Sequence, residues 1–193
     1  MESKGKFADY LEKAIGKDNA GIALEALSLP ASVSVRMNPA KIDAPTPESV
    51  SDFFSMPVKP VLWNRYGWFL SERPVFTLDP LMHCGCYDVQ DSSARFVGEV
   101  FRQVLKKMTE EGALPKERPL RVLDLCAAPG GKTTDILSSL KMSGIGSCLL
   151  VSNEIMKQRA AVLSDNAGIW GDPDVVVTSV DPKAFASLGG WFD

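Results

Sequence analysis

Residues 121–134 read Arg-Val-Leu-Asp-Leu-Cys-Ala-Ala-Pro-Gly-Gly-Lys-Thr-Thr. The run Val122-Leu123-Asp124-Leu125 is apolar apart from Asp124, the pattern of a strand buried on both faces of a parallel sheet. Ala127, Ala128, Pro129, Gly130 and Gly131 follow. Small side chains, one fixed φ and two glycines let the backbone turn tightly and let a ligand approach it closely. From Lys132 the pattern becomes helical, with Ile136, Leu137 and Leu140 on one face. A strand, a glycine-rich turn and a helix whose first N–H groups face that turn make a nucleotide-type site with room for an anionic group.

Three readings compete for this stretch. A tight turn without a ligand leaves its unusual composition without a purpose. A phosphate-binding loop would use Gly131-Lys132-Thr133 as the end of G-x-x-x-x-G-K-[ST]. The first glycine of that pattern would fall at Cys126, and Ala-Ala-Pro fills the interior, so a phosphate cradle fails. The third reading is an S-adenosylmethionine site. Its loop holds the amino-acid end of the cofactor, and an acid after the next strand holds the ribose. Ser147–Val151 reads as that strand, and Glu154 follows it, 24 residues beyond Gly130. That separation suits a ribose-binding acid in a Rossmann-type unit, so the third reading is preferred.

Asp-Leu-Cys-Ala-Ala-Pro-Gly-Gly-Lys-Thr at 124–133 resembles the cofactor motif of the Sun-type (Nop/Sun) RNA cytosine-5 methyltransferases, most of all the bacterial branch acting on small-subunit ribosomal RNA. Further segments fall in the family's order: Ser34–Pro39, Gly85–Ser93 with its Gln-Asp-Ser-Ser element, Asn153-Glu154 with Arg159, and Thr178–Asp181. The resemblance implies an α/β fold. A small N-terminal α+β domain over 1–80, with possible RNA contact, would precede the first half of a Rossmann-like methyltransferase sheet over 81–193. It implies S-adenosyl-L-methionine as cofactor, held by Cys126, Ala127, Ala128, Pro129, Gly130, Gly131, Lys132, Glu154 and Asp181. Asp181 would contact the adenine; from its position before Pro182 it reads equally as a helix cap. The Gln-Asp-Ser-Ser element would lie near the active-site entrance, although alone it reads as a helix cap. One position departs from the family: three residues after Asn166, where relatives carry arginine, stands Ile169.

The same resemblance implies that catalysis needs a cysteine that adds to carbon 6 of cytosine, followed by methyl transfer to carbon 5 and proton removal. The family's two functional cysteines follow strands four and five, and Trp191-Phe192-Asp193 stands where strand four should begin. No catalytic residue is therefore expected within 1–193, and Cys126 belongs to the cofactor loop. The chain alone is expected to be inactive in a parent enzyme that methylates RNA. The alternative is a non-catalytic module that binds RNA or cofactor. Three strands would also leave the strand at 122–125 unpaired on one side, an edge open to association.

Composition frames these expectations. Hydrophobic content of 45% and charged content of 23% are those of an ordinary globular chain, and a formal charge of −3 excludes a global basic field. An RNA partner would need a local patch. Cys84, Cys86, Cys126 and Cys148, with one histidine, His83, show neither disulfide-framework nor zinc spacing. They read as reduced thiols in a cytoplasmic protein without a metal. No signal peptide or membrane span is expected.

Phe7, Tyr10, Leu11, Ala14 and Ile15 share one helical face, Gly16 ends that helix, and Asp18 or Asn19 is the expected cap of the next. Ser32–Met37 alternates like a strand, and Asn38-Pro39 closes it with a turn. Prolines at 39, 45, 47, 57 and 60 forbid long regular structure there. Trp63, Tyr66, Trp68 and Phe69, near Arg65 and Arg73, read as core before they read as an RNA stacking platform. Beyond Asp91 or Ser92 as cap, a helix carries Phe96, Val97, Val100, Phe101, Val104 and Leu105. Its run of Arg102, Lys106 and Lys107 reads as a solvated face first.

Overall fold

The structure, a computed structural model, describes residues 2–193. The described residues divide into two compact units that part between Ser32 and Val33. In the first, α1 (Glu2–Ile15) packs on α2 (Lys17–Ser28). Gly16, at φ +81°, breaks the helix between them. It also serves as the N-cap of α2, so neither Asp18 nor Asn19 caps it, and the Asn19 amide donates back to the Ile15 carbonyl at 3.0 Å. Much of the apolar face of α1 is exposed, with Tyr10 71% and Phe7 50% accessible.

The second unit holds two sheets. The first is antiparallel and four-stranded: β1 (Val33–Met37), β2 (Val58–Pro60), β3 (Gly67–Leu70) and β4 (Tyr87–Val89), in the order β2-β3-β1-β4. A short helix, α3 (Pro47–Phe54), precedes β2, started by a capping box between Thr46 and Ser49. Val35, Met37, Trp68, Leu70 and Tyr87 fill the core of this layer, and Tyr66 is buried with them. Tyr66 and Trp68 are therefore core residues, because alternate positions of a strand face the same way.

The division expected at 80/81 is drawn differently here. β4 lies beyond it and pairs with β1, Met37 opposite Tyr87, while the compact units part at Ser32/Val33. Three residues are too few for a sequence period to reveal, whereas the free edge of β1 needs a partner for its backbone groups. Between β3 and β4 lies a short α4 (Pro80–His83), capped by Asp79. After β4, Asp91 accepts from the Ser93 N–H at 2.7 Å, and α5 (Phe96–Glu110) follows one 3₁₀ turn later.

The second sheet is parallel: β5 (Leu120–Asp124), β6 (Cys148–Asn153) and β7 (Val175–Thr178), joined by α6 (Gly131–Met142) and α7 (Lys157–Trp170). Strand–helix alternation with apolar strands is the doubly wound pattern. Leu105, Leu120, Leu137, Leu140 and Leu150 form its core. β6 is central, so among the described residues β5 has one strand neighbour. Its outer edge is not bare: the Asp193 N–H donates to the Arg121 carbonyl at 2.9 Å, and the Arg121 N–H donates to the Asp193 carboxylate at 3.0 Å. Arg118 holds that carboxylate as well, at 2.6 and 2.8 Å, and keeps its pKa down at about 2.

The two sheet layers are locked by buried polar groups on β1. Arg36, 1% accessible, donates to Asp88 (3.0 Å), to the Thr134 hydroxyl (2.5 Å) and to the Ser138 hydroxyl (3.2 Å), and stacks 4.2 Å over Trp170. Asn38 donates to the carbonyls of Gly85 and Trp170, both at 2.9 Å. Lys41 donates to Ile169 O at 2.8 Å, so one segment holds the last carbonyls of α7.

Candidate cofactor site

The site is the turn between β5 and α6. Gly130 sits at φ +113°, where a side chain is strained, and the turn closes through a Gly130 N–H to Ala127 carbonyl bond of 2.9 Å. A Cβ there would also come within 3.2 Å of Leu163. The peptide between Ala128 and Pro129 is cis. Ala127 and Ala128 are buried; Cys126, Pro129 and Lys132 are exposed.

α7 holds the turn by its carbonyls. Arg159 donates to Ala128 O at 2.8 Å, and the Asn166 amide donates to Pro129 O at 2.7 Å. With these oxygens engaged by side chains, the N–H groups of the first turn of α6, which have no intrahelical acceptors, are left as the donors of the site. Gly130 and Gly131 add no side chains of their own to that approach, and the Gln90 amide lies against Gly131.

Glu154 stands just past the end of β6, buried at 4% accessibility. One carboxylate oxygen accepts from the Met156 N–H at 3.0 Å, and the other pairs with Arg159 at 3.3 Å. Arg159 thus links the ribose-acid candidate to the turn. Asp181 is exposed and accepts from the Lys183 N–H at 2.8 Å, capping the 3₁₀ turn Pro182–Leu188. The cap role is therefore occupied as the chain stands.

Two groups named in the sequence only as members of motifs were given no role there. Asn153, fully buried, joins the ends of all three parallel strands: its amide donates to the carbonyls of Leu125 and Val180, and its oxygen accepts from Thr178 and from Val180 N–H. Beside it, the Ala127 N–H donates to the Asn153 carbonyl at 2.9 Å, fixing where the turn begins. Asp124 is the other. Burial pushes its pKa up, while the Thr133 hydroxyl, donating at 2.8 Å, and the Lys132 charge pull it down. An acid at the carboxyl end of a parallel strand was the available signal for Asp124. For Asn153 the family segment Asn153-Glu154 marked the position, but no local pattern named its partners, which lie beyond the other strands.

Two family models match the chain. The N-terminal domain of 16S rRNA methyltransferase RsmF matches residues 5–92, a span that includes β4, and 16S rRNA methyltransferase RsmB/F matches 113–193.

The chain belongs to the RsmB/F methyltransferase family.

Ribosomal RNA small subunit methyltransferase F from a strain of Escherichia coli is 31% identical over 184 residues, covering 88% of this chain. The same-named protein of Pectobacterium atrosepticum is 27% identical over 179 residues. The chain spans 33% of the length of each of these relatives. Among solved structures, a methyltransferase homolog protein from Pyrococcus horikoshii superposes with a TM-score of 0.71 at 22% identity, covering 94% of this chain and 54% of that one. NSun6 from the same organism, solved with SFG, gives a TM-score of 0.68 at 14% identity over 94% of this chain and 66% of its own. These likenesses establish the fold of an RsmB/F-family chain.

Among the described residues no cluster of His, Cys, Asp or Glu is arranged to hold a metal ion, and no helix is long and apolar enough to cross a membrane. Cys148 lies 3.9 Å from Asp174, and burial, followed by the charges of Asp174 and Asp172, pushes its thiol up to about 11. A thiol held that high is a poor nucleophile near neutral pH.

Proposed function

We propose that this chain is the cofactor-holding part of an S-adenosylmethionine-dependent methyltransferase that modifies carbon 5 of cytosine in small-subunit ribosomal RNA. The turn Cys126–Lys132 would hold the amino-acid end of the cofactor, Glu154 the ribose, and Asp181 the adenine. The cofactor supplies an electrophilic methyl group. The chain supplies placement: backbone donors at the start of α6, a buried carboxylate for hydroxyl groups, and small residues that admit close approach.

One observation carries this reading. Arg159 and Asn166 engage the turn's carbonyls, so the turn presents donors, which suits a carboxylate-bearing ligand. The family resemblance and the SFG of the NSun6 structure, an S-adenosylmethionine analogue, support the cofactor class. For RNA the support is the family's own description, 16S rRNA methyltransferase.

The nucleophilic cysteine is assigned to residues beyond Asp193. Cys126 stands beside the cofactor's own place, and Cys148 is held protonated beside Asp174. Calorimetry with S-adenosylhomocysteine, paired with methyl transfer to unmodified small-subunit RNA, tests both halves. Binding without turnover is the expected result. Turnover by residues 1–193 would overturn the assignment of the nucleophile, and absence of binding would overturn the cofactor site.

A further inference from the structure

Each of the two sheets has two edges, and three of the four are guarded. β2 carries Lys59 and Pro60, residues that discourage a further strand, and β4 is only three residues long. The outer side of β5 is engaged by Asp193. The fourth edge is β7, Val175-Val176-Val177-Thr178, a β-branched run with neither lysine nor proline in it.

The direction of the peptide groups on β7 follows from its ladder with β6. The carbonyls of Asp174 and Thr178 accept from the N–H groups of Leu150 and Glu154 at 2.9 and 3.1 Å, so they face β6. Along a strand, alternate residues turn their backbone groups to opposite sides, which sends the N–H and C=O of Val175 and Val177 outward. Among the described residues nothing bonds to these outward groups. Val176, between them, is 48% accessible and offers an apolar side chain to a neighbouring strand.

Charge selects what can pair there. Asp172 and Asp174 precede the strand and Asp181 follows it, with Lys183 as the base in the same stretch. Acid at both ends repels RNA phosphates. A second copy is disfavoured as well. Antiparallel pairing centred on Val176 would bring the acids before one strand towards the acid after the other, between chains that each carry −3. An extended segment rich in lysine meets both demands, with backbone groups for the open edge and cations for Asp172 and Asp174. Basic arms of proteins that bind nucleic acid have this chemistry.

We propose that β7 docks an extended basic segment of a partner protein, which pairs with Val175 and Val177 as a fourth strand and sets its cations against Asp172 and Asp174. The site lies on the opposite margin of the parallel sheet from β5 and uses none of the residues assigned to the cofactor.

The test is amide hydrogen exchange of the 193-residue chain, read by NMR, with the peptide acetyl-Lys-Val-Lys-Val-Lys-Val-amide or its analogue with glutamate for lysine. The basic peptide should slow exchange at Val175 and Val177 and leave Val176, already bonded to β6, unchanged. The acidic analogue should do neither. Changing both Asp172→Asn and Asp174→Asn should weaken binding about threefold, the scale of exposed ion pairs. Val177→Pro, which removes an outward donor, should weaken it about fivefold. Val176→Lys, which places a guarding cation on the strand, should abolish it, and circular dichroism shows that each variant is folded. No protection by the basic peptide, equal protection by the two peptides, or unchanged binding in folded Val176→Lys would overturn the proposal. Protection of Val175 and Val177 that appears on concentrating the chain without peptide would overturn it too, by giving the edge to a second copy. Saturating S-adenosylhomocysteine should leave peptide binding unaltered, so the docking edge and the cofactor site stand or fall separately.

Discussion

At Asn153 both amide hydrogens and both oxygen lone pairs are used inside the fold: carbonyls of Leu125 and Val180 accept at 3.3 and 3.1 Å, and Thr178 and Val180 donate at 2.9 and 3.1 Å. Asn153→Asp would set a carboxylate against two carbonyls. We expect a loss of about 2–4 kcal/mol in chemical denaturation, together with weakened cofactor binding, because the start of the turn hangs from the same residue. Asp124 gives a pH signature. Its folded pKa lies above the ordinary aspartate value of 3.8, so the folded chain keeps a proton that the unfolded chain has lost. Stability contributed by this group therefore falls as pH rises from that value through the raised one. Asp124→Asn should remove that part of the slope in urea midpoints measured across mildly acidic pH, while Asn can still accept from Thr133. An unchanged slope would count against the burial of this carboxyl.

Elements meet at two crossings that set the site. β1 reaches α6 and α7 through Arg36, whose guanidinium joins Asp88, Thr134 and Ser138 and stacks on Trp170. Arg36→Met leaves the partly buried Asp88, 23% accessible at its side chain, without its cationic partner and with the Thr134 hydroxyl at 3.3 Å as its remaining donor. Such a change costs about 3–5 kcal/mol in buried pairs, and Asp88→Leu in the same chain should recover part of the loss. Thermal and urea unfolding of the two variants, compared with Arg36→Met alone, check this. α5 crosses α6 at Gly98, where a Cβ would lie 2.1 Å from the Asp135 carboxylate. The apolar pattern of α5 was plain in sequence, but it did not say which side would be covered: Leu105 is buried, while Phe96 and Val100 stay 55% and 49% accessible. Arg102 turns inward to Asp135, Ser139 and the Trp63 carbonyl, whereas Lys106 and Lys107 face solvent as a charged run does.

For the whole molecule, the four thiols report on both fold and function. Cys84 and Cys126 are exposed, and Cys148 is held protonated up to about 11. Alkylation near pH 8, read by peptide mass, should reach Cys126 well before Cys148. Saturating S-adenosylhomocysteine should slow labelling of Cys126 and leave Cys84 unaffected. Equal rates at Cys126 with and without the cofactor product would place the ligand elsewhere. The two sheets are joined around the turn: the antiparallel layer supplies Arg36 against α6, Asn38 against the end of α7 and Gln90 against Gly131.

Local pattern was enough to reveal the strand–turn–helix at 120–142, the second and third parallel strands, and Glu154 and Asp181 at strand ends. In each case the signal is carried by neighbours in the chain: an apolar run, two glycines, an acid after a strand. The short β4, the division of the chain and the joining of three strand ends by Asn153 were decided only in three dimensions. Each depends on groups tens of residues apart satisfying one another's hydrogen bonds. Such pairings leave no period in the sequence, because burial and partner geometry exist only once the layers have packed.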